Sequence, residues 1–245
     1  MTLFITSSPF VDGAPSAILS NANGFVDRIR SVLPENPNVV FVCSDPDDHR
    51  GTCEFASITS AAFAEEGIHF GSYRVLTGQT MSQAYGMISH SDLVVLCGGH
   101  VPTQNAFFRR IRLRHLLHKY NGVVMGISAG SMNMAREVYS QPEAPGESSP
   151  DFPRFISGLA LTEVNILPHC QKAMHFMLDG MRLYEDITFP DSMGHTFFSL
   201  PDGSYFYQDD EGLLLCGQSW RLSNGILEML TAEEEVLDMS DFQYH

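Results

Sequence analysis

The sequence contains no apolar run approaching the roughly 20 residues that a membrane-spanning helix needs. Hydrophobic residues at 44% and charged ones at 18% suit a buried core instead. It has no CxxC pair: Cys43, Cys53, Cys97, Cys170 and Cys216 are scattered, which argues against a disulfide framework or a zinc site and fits reduced thiols. Basic residues are scarce, 14 Lys and Arg against 29 Asp and Glu, for a formal net charge of -15. A nucleic-acid partner draws its affinity from clustered cations, so none is expected. The stretch MTLFITSSPF has neither a basic n-region nor a continuous apolar h-region, so a secretory signal is not expected and a cytoplasmic location is. No HExxH or GxxxxGK[ST] occurs and no GxGxxG follows the first apolar run, so neither metal nor organic cofactor is expected.

The short apolar runs Leu3 to Thr6, Val39 to Cys43, Leu93 to Cys97 and Val123 to Ile127 are rich in β-branched residues and read as buried parallel strands. Between them, Phe25 to Leu33, Phe55 to Glu66, Met81 to Ile88 and Phe107 to Leu117 repeat apolar residues at three and four, as crossover helices do. This predicts an α/β fold with a mostly parallel central sheet and helices on both faces. Tyr139 to Phe155, with Pro142, Pro145, Pro150 and Pro153, reads as a long loop, and loops of that length are often functional. Beyond it, Val164 to Leu167 predicts a strand and Lys172 to Tyr184 a helix. From Thr196 to Leu237, short strands with hairpin turns at Asp202-Gly203 and Asn224-Gly225 are expected to edge the sheet. No internal repeat is visible, and a single domain over 1–245 is expected. The one basic cluster, Arg109, Arg110, Arg112 and Arg114, reads as a solvated or subunit-contact face of a helix, which leaves a homodimer open.

The chemistry points to VVMGISAGS. Gly126-Ile127-Ser128-Ala129-Gly130 fits the nucleophile-elbow pattern G-x-S-x-G, with the strand before and the helix after that the pattern requires. A plain glycine-rich turn would read the same way, but a serine nucleophile also needs a base and an oxyanion site, and both have candidates. One oxyanion donor would be the Ala129 amide. The other would come from Gly98-Gly99-His100, at the carboxyl end of a strand. His169, after the apolar run NIL and a proline, is the candidate base. Asp202 in LPDGSY is the candidate third member, with Asp209, Asp210 and Glu211 as rivals, although Asp-Gly is also an ordinary hairpin turn. The chain order of α/β-hydrolases would instead require Ser128 with Asp186 or Asp191 and His195, and no HGGG-type motif accompanies it.

An apolar strand ending in GG, a second ending in G-x-S-A-G and a third followed by PH resemble the peptidase E and cyanophycinase family of serine peptidases over roughly Leu3 to Leu230. The resemblance implies a class I glutamine amidotransferase-like fold, with Ser128 at the nucleophile, His169 at the base, Asp202 where the family commonly has Glu-Gly, and Gly99 and Ala129 as oxyanion amides. It also implies small peptide substrates of aspartyl type. The GGH segment departs from the family's GGN or GGD, which makes His100, Gln104 and Asn105 candidates to line a different substrate pocket. In the proline-rich loop, which helps to form the family's substrate site, Glu143, Glu147 or Asp151 would recognise an α-ammonium group if it is not merely solvated charge. The elbow serine sets a glutamine amidotransferase aside, because that class uses a cysteine there. A catalytically silent binding or sensor module on the same fold is the competing class.

Overall fold

The computed structural model describes residues 1–14 and 16–242. Five parallel strands form the middle and one flank of the main sheet: β1 (Thr2–Thr6), β2 (Asn38–Val42), β3 (Ser72–Leu76), β4 (Leu93–Leu96) and β5 (Val123–Ile127). They are joined by α1 (Phe25–Val32), α2 (His49–Glu65), α3 (Ala84–Ser89), α4 (Val101–Arg110) and α5 (Leu113–Leu117). α6 (Ala129–Met132) follows β5 at once. β6 (Glu137–Tyr139) and β7 (Phe155–Ser157) pair as an antiparallel ladder that closes the base of the proline-rich loop. Then come β8 (Ile166–Leu167), α7 (Cys170–Ala173), the hairpin of β9 (Met177–Leu178) and β10 (Met181–Arg182), and β11 (Thr196–Ser199). The chain finishes with β12 (Tyr205–Gln208), β13 (Leu213–Cys216), β14 (Ser219–Ser223), β15 (Ile226–Thr231) and β16 (Val236–Asp238).

The main sheet runs β16-β13-β12-β1-β5-β4-β2-β3, with β12, β13 and β16 added antiparallel beyond β1. Alternate residues of each parallel strand enter opposite cores. Leu3, Ile5, Val40, Val42, Val94 and Leu96 pack with α3, α4 and α5, whereas Phe4, Val39, Phe41, Leu93 and Val95 pack with α1 and α2. Both faces are therefore covered, which is why these strands read as unbroken apolar runs rather than alternating ones.

A second sheet runs β15-β14-β11-β8, with β8 parallel to β11. Its own cluster of Tyr139, Leu167, Leu183, Tyr184, Ile187, Phe197 and Leu222 lies apart from the two main cores. The C-terminal strands thus do more than edge one sheet, since they divide between two. Asn224-Gly225 is the two-residue hairpin turn expected between β14 and β15, with φ of 51° and 75°. Asp202-Gly203 is not a hairpin: it carries the chain from β11 in the small sheet to β12 in the large one.

Other expectations shift for local reasons. α4 begins six residues before Phe107, with Pro102 in its first turn, and Arg112 in the left-handed region (φ 55°) separates it from α5. The helix expected over Lys172 to Tyr184 is replaced by α7 and the β9–β10 hairpin. Its turn is Asp179-Gly180, where two positive φ values (50° and 82°) suit a primed turn and stop a helix. β8 is shorter than Val164 to Leu167. β3, mostly exposed at the sheet edge, lacks an apolar run and has no counterpart among the expected strands. No helix among the described residues is long and apolar enough to cross a membrane.

Candidate active site

Two glycines hold the turn after β5. A Cβ at Gly126 would lie 2.6 Å from the Ser131 Cα, and one at Gly130 only 2.1 Å from the Leu96 carbonyl oxygen. Helix α6 can therefore sit directly against β4 and β5 only where both side chains are absent. Ser128, between them, takes φ 51° and ψ -115°, a conformation that a serine holds only when its surroundings impose it. Those surroundings are at the end of β1: the Ser128 amide donates to the Thr6 and Ser7 carbonyls (3.1 and 3.0 Å), and Ser131 Oγ donates to the Thr6 carbonyl (2.8 Å). Among the described residues, the backbone amides of Gly99 and Ala129 have no hydrogen-bond acceptor, and both residues line the pocket that Ser128 faces.

His169 and Asp202 arrive from the small sheet, and register explains why they meet. β8 and β11 pair in parallel with Leu167 opposite Ser199, and Leu200 N–H continues the ladder to the Leu167 carbonyl (2.9 Å). The residues two beyond Leu167 and three beyond Ser199 consequently leave the same end of the sheet. His169 Nδ1 lies 2.7 Å from Asp202 Oδ1. Asp202 also accepts from Ser7 Oγ (2.8 Å) and Gln171 Nε2 (2.7 Å). Burial pushes the Asp202 carboxyl up, but the hydrogen bonds from His169, Ser7 and Gln171 together with the His169 charge outweigh it, and the pKa ends below the usual carboxylate range. An ionised Asp202 can only accept, so it fixes the proton of a neutral imidazole on Nδ1 and leaves Nε2 as an acceptor. Ser128 Oγ has no hydrogen-bond partner among the described residues, and it lines the same pocket as His169. Catalytic hydrogen bonds are often long until substrate binds.

Ser7, which carries no motif of its own, ties the parts together. It accepts the His169 backbone N–H (2.8 Å) while donating to Asp202, and its carbonyl holds the Ser128 amide. The one sequence signal for it is position, two polar residues at the carboxyl end of the first parallel strand, where open α/β sheets place their ligands. Lys172, also without a motif, lines the pocket with its ammonium 2.6 Å from Asp12 and 3.9 Å from Asp202.

The pocket has a volume of about 330 Å³. Val101, Met132, Phe176 and Leu183 give it an apolar wall, and Glu143 stands in its lining. Burial raises the Glu143 pKa. The other expected pocket residues are elsewhere. Gln104 and Asn105 are buried and do not line it, because their amides are used inside the protein. Gln104 Nε2 donates to the Cys97 carbonyl (2.6 Å), while Asn105 Nδ2 donates to Asn133 Oδ1 (2.9 Å) and to the Ser157 carbonyl (3.0 Å). His100 also turns away: its Nε2 lies 2.7 Å from Glu147 Oε1, and Glu147 in turn accepts the amides of Glu143 and Ala144. These contacts pin the proline-rich loop to the start of α4.

Of the rival triad members, Asp209, Asp191 and His195 are engaged elsewhere. Asp209 caps its own turn through the amides of Glu211 and Gly212. Asp191 pairs with Arg154 (3.0 Å) and accepts from the Tyr139 hydroxyl, and His195 stacks on Phe155 at 4.2 Å. Cys97 is buried, with its thiol pKa pushed up by that burial.

Comparisons with known proteins bear on the fold and the family. No curated protein matches the sequence. The fold is similar to a crystal structure of a candidate peptidase E protein from Listeria monocytogenes EGD-e, with a TM-score of 0.59 and 13% identity over 94% of this chain and 98% of that one. At that identity the likeness is one of fold. The family model for peptidase family S51 matches residues 18–213. The chain therefore belongs to peptidase family S51 and is a serine peptidase.

Proposed function

We propose that residues 1–245 form one domain that hydrolyses small peptides in the cytoplasm through Ser128, His169 and Asp202. Nε2 of His169 takes the Ser128 proton as Oγ attacks the scissile carbonyl, and the Gly99 and Ala129 amides receive the oxyanion. The imidazolium formed at His169 is stabilised by Asp202, then gives its proton to the leaving amine, and water hydrolyses the acyl-enzyme by the reverse route. The observation that carries this reading is the contact between Asp202 Oδ1 and Nδ1 of His169, which lies in one pocket with a strained Ser128 and two amides without acceptors among the described residues.

Aspartyl dipeptides are the class that the resemblance implies. Among the described residues Lys172 is the one Lys or Arg in the pocket lining, so it would have to exchange Asp12 for the substrate carboxylate. Glu143, in the same lining, would meet an α-ammonium group. The five cysteines are free thiols, in keeping with a reducing compartment.

The test is hydrolysis of a panel of Xaa-Leu dipeptides, with α- and β-aspartyl forms included, by wild type and Ser128→Ala. Turnover is expected to fall by about 10⁵-fold or more in the variant, with a fluorophosphonate labelling wild type at Ser128 alone. Substantial turnover by Ser128→Ala would sink the assignment, and a folded wild type that is neither active nor labelled would favour a silent binding module.

A further inference from the structure

The positive charge of this acidic chain is concentrated in one place. From residue 93 to residue 136 there is no Asp or Glu, and the same stretch holds Arg109, Arg110, Arg112 and Arg114. Of the eight other arginines, Arg30, Arg50, Arg136, Arg154, Arg182 and Arg221 each pair with a carboxylate, Arg28 donates to the Tyr205 hydroxyl, and Arg74 has no carboxylate partner among the described residues. Arg109, Arg112 and Arg114 have no carboxylate partner among the described residues. Like charges brought together without counter-charge repel one another, at a cost that has to be offset by something.

The break between α4 and α5 creates the cluster. Arg112 in the left-handed region separates the helices, so that Arg109 at the end of α4 and Arg112, Arg114, His115 and His118 along α5 line one groove of about 920 Å³. Arg109 gains from the carbonyl end of α4. Arg112 stands at the opposite pole of α5, where the helix dipole gives a cation no such help. A serine, a glycine and buried apolar groups from the β7 end form the facing wall. The groove shares no lining residue with the pocket of Ser128.

We propose that this groove binds a small polyanion carrying two or more phosphate or carboxylate groups. The size lies in the range of small-molecule sites, roughly 300–1,000 Å³. Guanidinium forks bind phosphate and carboxylate oxygens in bidentate fashion, and three of them around one groove match several anionic groups better than one. The ligand is distinct from the peptide substrate, because it occupies a different face.

Calorimetric titration of the full chain with pyrophosphate, tripolyphosphate and citrate, at low and at moderate salt, tests the site. Saturable 1:1 binding of at least one probe is expected, weaker at the higher salt. Arg112→Gln and Arg114→Gln should each weaken it about tenfold, while Arg74→Gln, on the exposed edge strand, should leave it unchanged. Circular dichroism melts verify that the variants fold. A preference for phosphates over citrate, or the reverse, identifies the anion. Absence of saturable binding, or binding indifferent to Arg112 and Arg114, overturns the proposal. So does dimerisation that these substitutions abolish while no probe binds, since the groove would then be a contact between copies.

Discussion

The eight-stranded sheet and the four-stranded sheet supply the candidate site by different means. In the large sheet, Ser128 and the amides of Gly99 and Ala129 sit on turns directly after β4 and β5, and sequence spacing alone carries them there. In the small sheet, His169 and Asp202 are 33 residues apart and meet because β8 pairs with β11 in one parallel register. The first half is secured by buried packing on both faces, the second by a handful of hydrogen bonds that converge on Asp202 and Ser7. A local motif is robust to changes elsewhere, whereas a pair aligned by register depends on each contact that holds the register.

That contrast can be broken at either end. Among the changes that test this contrast, the largest effect is expected from Asp202→Asn. The amide side chain cannot serve as the same acceptor, the His169 proton is no longer held on Nδ1, and kcat should fall by about 10⁴-fold with little change in fold; steady-state kinetics with far-UV circular dichroism measures both. Next comes Gly130→Ala in the large sheet. The added Cβ would lie 2.1 Å from the Leu96 carbonyl oxygen, so denaturant unfolding should show a loss of about 3 kcal/mol, and an unchanged midpoint would mean that packing does not hold the elbow. Ser7→Ala joins the two halves. It removes one hydrogen bond to Asp202 and the acceptor of the His169 amide, and kcat should drop roughly 10- to 100-fold with KM changing less.

The smallest effect is one of pH. The folded Asp202 pKa is depressed, so its stabilising contribution is present above the unfolded value of about 3.9 and is lost as pH falls through the lower folded one. The stability gap between wild type and Asp202→Asn should therefore still be present at about pH 5 and shrink below about pH 4. A gap that instead widened in acid would show that Asp202 is not held as an anion.

Much of the large sheet was legible in the sequence because strands covered on both faces need continuous apolar residues, and β1, β2, β4 and β5 have them. β3 was not, since an edge strand with one partner is exposed and reads as polar. The helix expected after Lys172 failed because periodicity over Met174 to Tyr184 says nothing about the Asp179-Gly180 turn, whose two left-handed residues favour a hairpin. Gln104 and Asn105 looked like pocket residues because the GGHVPTQN segment departs from the pattern of the family it resembles. One helical turn places them instead on the buried side of α4, where Asn133 and backbone carbonyls satisfy their amides.

By itself the sequence determined the elements whose cause is local: the glycines that let α6 approach β4, the serine between them, the apolar strands and the Asn224-Gly225 hairpin. Only the tertiary structure decided which histidine meets which carboxylate, that Ser7 links them and that Lys172 is engaged by Asp12. Those choices depend on strand register and on the direction each turn gives the chain. They are set by contacts between residues far apart in sequence, and no short window of sequence contains both partners.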